Sequence, residues 1–182
     1  MFELLLARLA EAFEAEALPY MIIGGQAVLL YGEPRLTRDV DVTVGADVSA
    51  LSKVLAVAGR VGVKPRPADP GAFVAETLVL PCEDPGTGIR VDFVFSSSEY
   101  EATAIGRVRL VTVGGRSLAY ASPEDLIIHK LVAGRPRDLD DIRSVRSKMP
   151  GLDMDYIETW IAWFEHNIGL PMRSRWESTQ RD

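Results

Sequence analysis

The run Asp39-Val40-Asp41-Val42-Thr43-Val44 constrains the fold more than any other stretch of the chain. Alternation of polar and branched apolar residues has the period of a β-strand with one buried face. Residues at i and i+2 project from the same face, so both carboxylates stand on one side while the valines anchor the strand in a core. Such a pair is either a solvated sheet edge or a binding device. The 182 residues allow a sizeable core, and a hydrophobic content of 47% excludes a disordered chain.

Around this strand the pattern predicts alternating elements. Phe2 to Ala17 carries Leu5, Leu6, Leu9 and Phe13 at helical spacing and stops before Pro19. Tyr20 to Ile23 is a short apolar strand running into Gly24-Gly25, and Gln26 to Tyr31 reads as a helix closed by Gly32. Val48 to Ala58 is expected to be helical, followed by a Pro-rich loop over Lys64 to Pro70. Phe73 to Pro81 and Ile89 to Phe95 are expected as an antiparallel hairpin around the turn-rich Asp84 to Gly88. Glu99 to Ile105 is a short helix, and Arg107 to Val113 with Arg116 to Tyr120 are two further strands.

At Ser122 the grammar changes: Ser122-Pro123-Glu124-Asp125 supplies an N-cap, a proline at the first helical position and acids in the first turn. Helices are expected at Pro123 to Ala133, Asp138 to Lys148 and Asp153 to Asn167, the last with a packing stripe of Trp160, Trp163 and Phe164. Strands first and helices last predict an α+β fold: a core over 1–121, a small helical bundle over 122–171 packed on it, and a loose tail over 172–182 bearing Arg173, Arg175 and Arg181.

Composition narrows the chemistry. One cysteine, Cys82, builds neither an internal disulfide nor a cysteine zinc site, and two histidines, His129 and His166, exclude a histidine-rich one. Any resident metal is then a hard cation on carboxylates, Mg²⁺ or Mn²⁺. A net charge of −6 argues against a protein that coats nucleic acid, although 16 of the 20 basic residues are Arg, which suits forked contact with phosphate. No apolar run is long enough to span a bilayer, and charges at Arg8, Glu11, Glu14 and Glu16 break any leader-like stretch, so a cytoplasmic protein is expected.

A third acid, Asp92, sits inside the apolar strand Val91 to Phe95, where its charge is costly unless paired or bound to metal. Three acids aimed at one point suit a two-metal phosphoryl-transfer site. Gly24-Gly25 lets backbone approach a ligand, and the helix behind it points free amides and its positive dipole end outward. Together these suit a nucleoside triphosphate (NTP), with Arg35, Thr37 and Arg38 placed to touch phosphate or acceptor. Taken singly each piece has a plainer reading: a turn, a solvated edge, an acid capped by Arg90.

In combination, Ile23-Gly24-Gly25, the spacing to Asp39-Val40-Asp41-Val42 and the later Val91-Asp92-Phe93 resemble the signature of the DNA polymerase β-like nucleotidyltransferases. The fuller string from Gly24-Gly25-Gln26-Ala27 through Tyr31-Gly32 to Arg35-Leu36-Thr37-Arg38-Asp39 is similar to the AbiEii-type toxin nucleotidyltransferases, and Ser122-Pro123-Glu124-Asp125-Leu126 with Lys130, Arg135, Arg137, Asp138 and Asp141 continues the likeness. The aminoglycoside and lincosamide relatives usually carry Trp after the glycine pair, where Gln26 stands here.

The resemblance implies a mixed sheet flanked by helices and transfer of NMP from NTP, with Asp39, Asp41 and Asp92 as catalytic and metal-holding residues. Gly24, Gly25, Arg38 and Lys130 would bind the nucleotide, and Arg35, Thr37, Arg137, Asp138 and Asp141 would be secondary. A solvated charged face is the plainer reading of Asp138 and Asp141. It further implies an acceptor hydroxyl on tRNA or a protein, with an antibiotic-like small molecule as the alternative, and a toxin with a cognate antitoxin. A non-catalytic regulator that binds nucleotide or partner is the competing class.

Overall fold

The computed structural model describes residues 2–180, so Arg181 of the expected tail lies outside the described residues. Among them, helices α1 (Phe2–Ala15), α2 (Gly24–Tyr31) and α3 (Leu51–Val61) alternate with strands β1 (Tyr20–Ile23), β2 (Asp39–Val44) and the two-residue β3 (Lys64–Pro65). Next come α4 (Pro70–Thr77), β4 (Val79–Glu83), β5 (Arg90–Phe95), α5 (Glu99–Ile105), β6 (Arg109–Val113) and β7 (Arg116–Tyr120). The chain then turns helical in α6 (Pro123–Ala133), α7 (Pro136–Lys148), α8 (Met154–Ile168) and α9 (Met172–Ser178).

One mixed sheet in the order β3-β4-β5-β2-β1-β7-β6 carries the fold. β2 is central: β1 pairs with it antiparallel and β5 parallel. The alternation in β2 sorts as expected, with Val40, Val42 and Val44 fully buried. On that face α1 packs down, its Phe13 ring edge-on to Phe93 at 6.0 Å and stacked on Tyr20 at 4.4 Å. Across the other face lies α6, whose Leu126, Ile127, Ile128 and Leu131 are buried. The cap expected at Ser122 is present, its hydroxyl accepting from the Asp125 amide at 3.1 Å.

Three expectations are corrected. Phe73 to Thr77 is not strand: Asp69 caps α4 by accepting from the Ala72 amide, and Pro70 stands in the first turn, the same device as Ser122-Pro123. The strand of that hairpin is Val79–Glu83, paired antiparallel with β5. The Pro-rich loop yields β3, paired with β4 through Lys64 and Pro65. Finally, the tail is not loose over Met172–Ser178. Met172 and Trp176, four apart, are both fully buried, and the Trp176 indole donates to Glu158 Oε1 at 3.1 Å. Smaller shifts put the glycine pair inside α2 and start α7 at Pro136, again with proline in the first turn.

Candidate active site

Sheet register builds the acid cluster. In the parallel β2–β5 pair Asp41 is the direct partner of Asp92, and Asp39 precedes Asp41 by two residues on the same face. Ile23, the last residue of β1, is the partner of Asp41, so the chain leaves the sheet beside the acids and turns straight into α2. That turn requires glycine at Gly24: its φ is +63°, and a Cβ there would overlap Asp41 Oδ2. At Gly25 a Cβ would crowd Thr37 Oγ1 at 2.5 Å. Ile23 provides no side-chain cap for α2, so the first-turn amides are available to an anion.

These groups open on a cleft of about 340 Å³. Gly24, Gly25, Arg35, Thr37, Asp39, Asp41 and Asp92 line one side; Lys130, Arg135, Arg137 and Asp138 line the other. Arg38 is exposed and is not part of the lining, so the structure does not bring it to the site. Asp141 stands just behind. A larger groove of about 580 Å³ runs between α1 and the β6–β7 hairpin, but none of the three aspartates lines it.

Charges in the cleft fall into two groups. Lys130 Nζ donates to Asp138 Oδ1 and Asp141 Oδ2, each at 2.8 Å. Arg135 Nε donates to Asp138 Oδ2 at 2.6 Å, and Arg35 forks onto both oxygens of Asp141 at 3.0 Å. Lys130, Asp138 and Asp141 are 6%, 2% and 6% exposed, so the centre of this five-member ion network is buried and not a solvated face, with Arg35 partly and Arg135 largely exposed at its edge. Burial opposes ionisation of both carboxylates, yet hydrogen bonds from Arg135 and Lys130 hold Asp138, and those from Arg35 and Lys130 hold Asp141, below the ordinary range.

The three sheet aspartates take no part in that network, and among the described residues none of them is ion-paired. Arg90 therefore does not cap Asp92. Burial, then the charges of Asp92 and Asp39, push the Asp41 carboxyl up; burial, then Asp39, do the same for Asp92, with Arg90 and Arg66 opposing. Unpaired acids that repel one another have the right chemistry for a hard cation. Among the described residues, however, no three His, Cys, Asp or Glu side chains close on one point as a ready-made shell. Mg²⁺ commonly takes only one or two protein carboxylates and completes its shell with substrate phosphates and water, so the donor set fits.

Arg135, quoted in the family-like string but not among the expected site residues, also lines the cleft. Its signal was Pro136 beside it, which fixes the start of α7 and puts Arg135 at the cap position facing the cleft.

Solved structures share this fold. The antibiotic-resistance factor ANT(2'')-Ia is 20% identical, with 98% of this chain and 95% of that one covered and a TM-score of 0.59. An antigenic nucleotidyltransferase-like protein from Paracoccidioides brasiliensis is 18% identical over 98% and 92%, at 0.56. The lincosamide antibiotic adenylyltransferase LnuA is 17% identical over 75% and 91%, at 0.51. No curated protein matches the chain. The fold is thus shared with nucleotidyltransferase and nucleotidyltransferase-like proteins of known structure. Within that class the chain belongs to the AbiEii family: the family model for "Nucleotidyl transferase AbiEii toxin, Type IV TA system" matches residues 4–175.

Proposed function

We propose that the protein transfers a nucleoside monophosphate from NTP to an acceptor hydroxyl, with release of pyrophosphate and dependence on Mg²⁺. The observation that carries this reading is the in-register pairing of Asp41 with Asp92 at the mouth of an uncapped, glycine-led helix. The amides of α2 bind the triphosphate. Asp39 and Asp41, with Asp92, hold the cation, which supplies charge neutralisation for the phosphates. Asp92 takes the proton from the acceptor hydroxyl as its oxygen bonds to the α-phosphorus and the bond to the β-phosphate oxygen breaks. Lys130 and Arg135, on the facing helices, set the opposite wall and its positive charge.

The positive charges of Arg66 and Arg90 act on Asp92. That favours an anionic acceptor, the end of a tRNA, over a cationic small molecule. The family supports a toxin role with a cognate antitoxin, and a protein hydroxyl is the second acceptor to test. Incubation with each α-labelled NTP and Mg²⁺, against a tRNA pool, a protein lysate and aminoglycosides in separate arms, should label the tRNA. Label on the antibiotic alone would reverse the acceptor assignment. Tight NTP binding with no transfer to any arm would favour a regulator.

A further inference from the structure

The sheet face that carries the three acids continues past them. Residues paired across neighbouring strands project from the same face. In one register row Asp39 pairs with Arg90, Arg90 with Glu83 and Glu83 with Lys64. In the next row Asp41 pairs with Asp92 and Asp92 with Pro81, whose carbonyl accepts the Arg66 amide at 2.9 Å. Pro67 behind it biases Arg66 to extended backbone, so Arg66 stays on the face of Lys64, two residues before it. Arg90, Arg66 and Lys64 thus share the acid face, the last two on the sheet edge about 10 Å beyond the strand of Asp92.

This part of the face is only partly covered. On β4 Leu80 and Cys82, which point to the core, are fully buried, whereas Val79, Pro81 and Glu83 on the acid face are half-buried. Lys64, Arg66 and Arg90 are exposed. Among the described residues neither Lys64 nor Arg90 is ion-paired, and Arg66 Nε stands 3.8 Å from Glu83 Oε2 with both side chains about half in water. That distance is too long for a hydrogen bond, and such a pair yields readily to a phosphate. In a chain of net charge −6, three available cations around Pro81 are a local exception.

Strand order decides what this lane can hold. The α2 amides follow β1, on one side of Asp41, and the lane lies on the other, beyond β5. In-line displacement sets the leaving pyrophosphate and the attacking oxygen on opposite sides of the phosphorus. With the triphosphate on α2, the attacking oxygen enters from the lane side, where Asp92 stands. We propose that Arg90, Arg66 and Lys64 form an acceptor track that holds the phosphates next to the terminal hydroxyl of an RNA strand while that hydroxyl lies at Asp92. The assignment rests on the nucleotidyltransferase reading above. An RNA strand carries a phosphate at every nucleotide beside its end, which a protein hydroxyl does not. Contacts of this kind fix position and register without reading sequence.

Equilibrium binding of a tRNA pool in Mg²⁺ tests the track apart from turnover, with steady-state label transfer run beside it. Arg66→Ala and Arg90→Ala should each weaken tRNA binding about threefold to tenfold and reduce the slope of log affinity against log salt by about 0.7 to 1. Acceptor KM should rise by the same factor, with kcat and NTP affinity within about twofold. Arg109→Ala on β6, at the opposite edge of the sheet, removes an equal charge and should change none of these. Unchanged tRNA affinity and salt slope in the folded triple variant Lys64→Ala, Arg66→Ala, Arg90→Ala overturns the track, and so does an equal loss in Arg109→Ala. Wild-type protein that labels a protein or an aminoglycoside and binds no tRNA overturns it too. Binding of tRNA that depends on the three cations, with no label transfer to any acceptor, upholds the track and defeats the transferase reading instead.

Discussion

Lys130→Met removes an ammonium and keeps most of the volume, so it isolates the ion network behind the cleft. Wild-type Lys130 makes two charge-assisted hydrogen bonds of 2.8 Å to carboxylates that are almost fully buried. Hydrogen bonds to charged groups contribute about 1.5–3 kcal/mol each, and breaking a buried pair costs about 3–5 kcal/mol. Here each carboxylate keeps a guanidinium, Arg135 on Asp138 and Arg35 on Asp141, which places the loss near the lower end, about 3 kcal/mol. For a domain of this size that lowers the melting temperature by about 6–12 °C.

Circular dichroism melts of wild-type and Lys130→Met protein at pH 7 read the difference directly. Both carboxylates have depressed folded pKa values, so their stabilisation is complete above the unfolded value of about 3.9 and is lost as pH falls through the folded values. The gap between the two melts should therefore close in acid. Adding Asp138→Asn and Asp141→Asn to Lys130→Met should not recover the loss at pH 7, since Arg35 and Arg135 then lose their carboxylate partners. A folded Lys130→Met protein that melts within about 1 °C of wild type at pH 7 would refute the reasoning, because a network this buried cannot lose its central cation so cheaply.

Other outcomes follow from the same geometry. The Asp41 carboxyl is raised in the fold, so its ionisation costs stability as pH rises above the unfolded value; Asp41→Asn should raise the metal-free melting temperature at pH 8, by about 2–4 °C per kcal/mol recovered, and abolish stabilisation by Mg²⁺. Gly24→Ala places a Cβ on Asp41 Oδ2 in a left-handed backbone; it should cost about 1–2 kcal/mol from the backbone alone and about a hundredfold in transfer rate through the displaced carboxylate. Burial pushes the Cys82 thiol up to about 12, so a thiol-reactive dye at pH 8 should leave native protein unlabelled and react once urea opens the sheet.

How much of this was legible in the sequence depends on the range of the forces involved. The alternation in β2 was legible because a strand's period is local, and so was the Ser122-Pro123 cap. Asp69-Pro70 and Arg135-Pro136 carry the same proline grammar, but the apolar run Phe73 to Leu80 overrode the first and the charged cluster obscured the second. The burial of Asp138 and Asp141 was not legible at all: it exists only because α7 lays them against Lys130 of α6 and Arg35 of the loop before β2. Arg38 shows the converse, since proximity in sequence to Asp39 did not carry it into the cleft. α9 was hidden by its arginines; Arg173 and Arg175 are spent on Glu158 and on the last carbonyls of α6, and the pair Met172 and Trp176 does the packing. The match of the glycine pair and three acids to the nucleotidyltransferase signature supplied what local physics could not, namely the expectation that Asp39, Asp41 and Asp92 serve one site; the parallel β2–β5 pairing that sets Asp41 beside Asp92 was seen only in the structure. Among the described residues no helix is long and apolar enough to cross a membrane, in line with the hydropathy reading.

The central claim is that Asp39, Asp41 and Asp92 form one metal-dependent transfer site. Transfer of label from α-labelled NTP to the tRNA pool, compared between wild type and the double variant Asp39→Ala with Asp41→Ala, tests it most directly. The account predicts transfer by the wild type that requires Mg²⁺ and stops on chelation, and none above background by the variant. Transfer that persists in the double variant would contradict it.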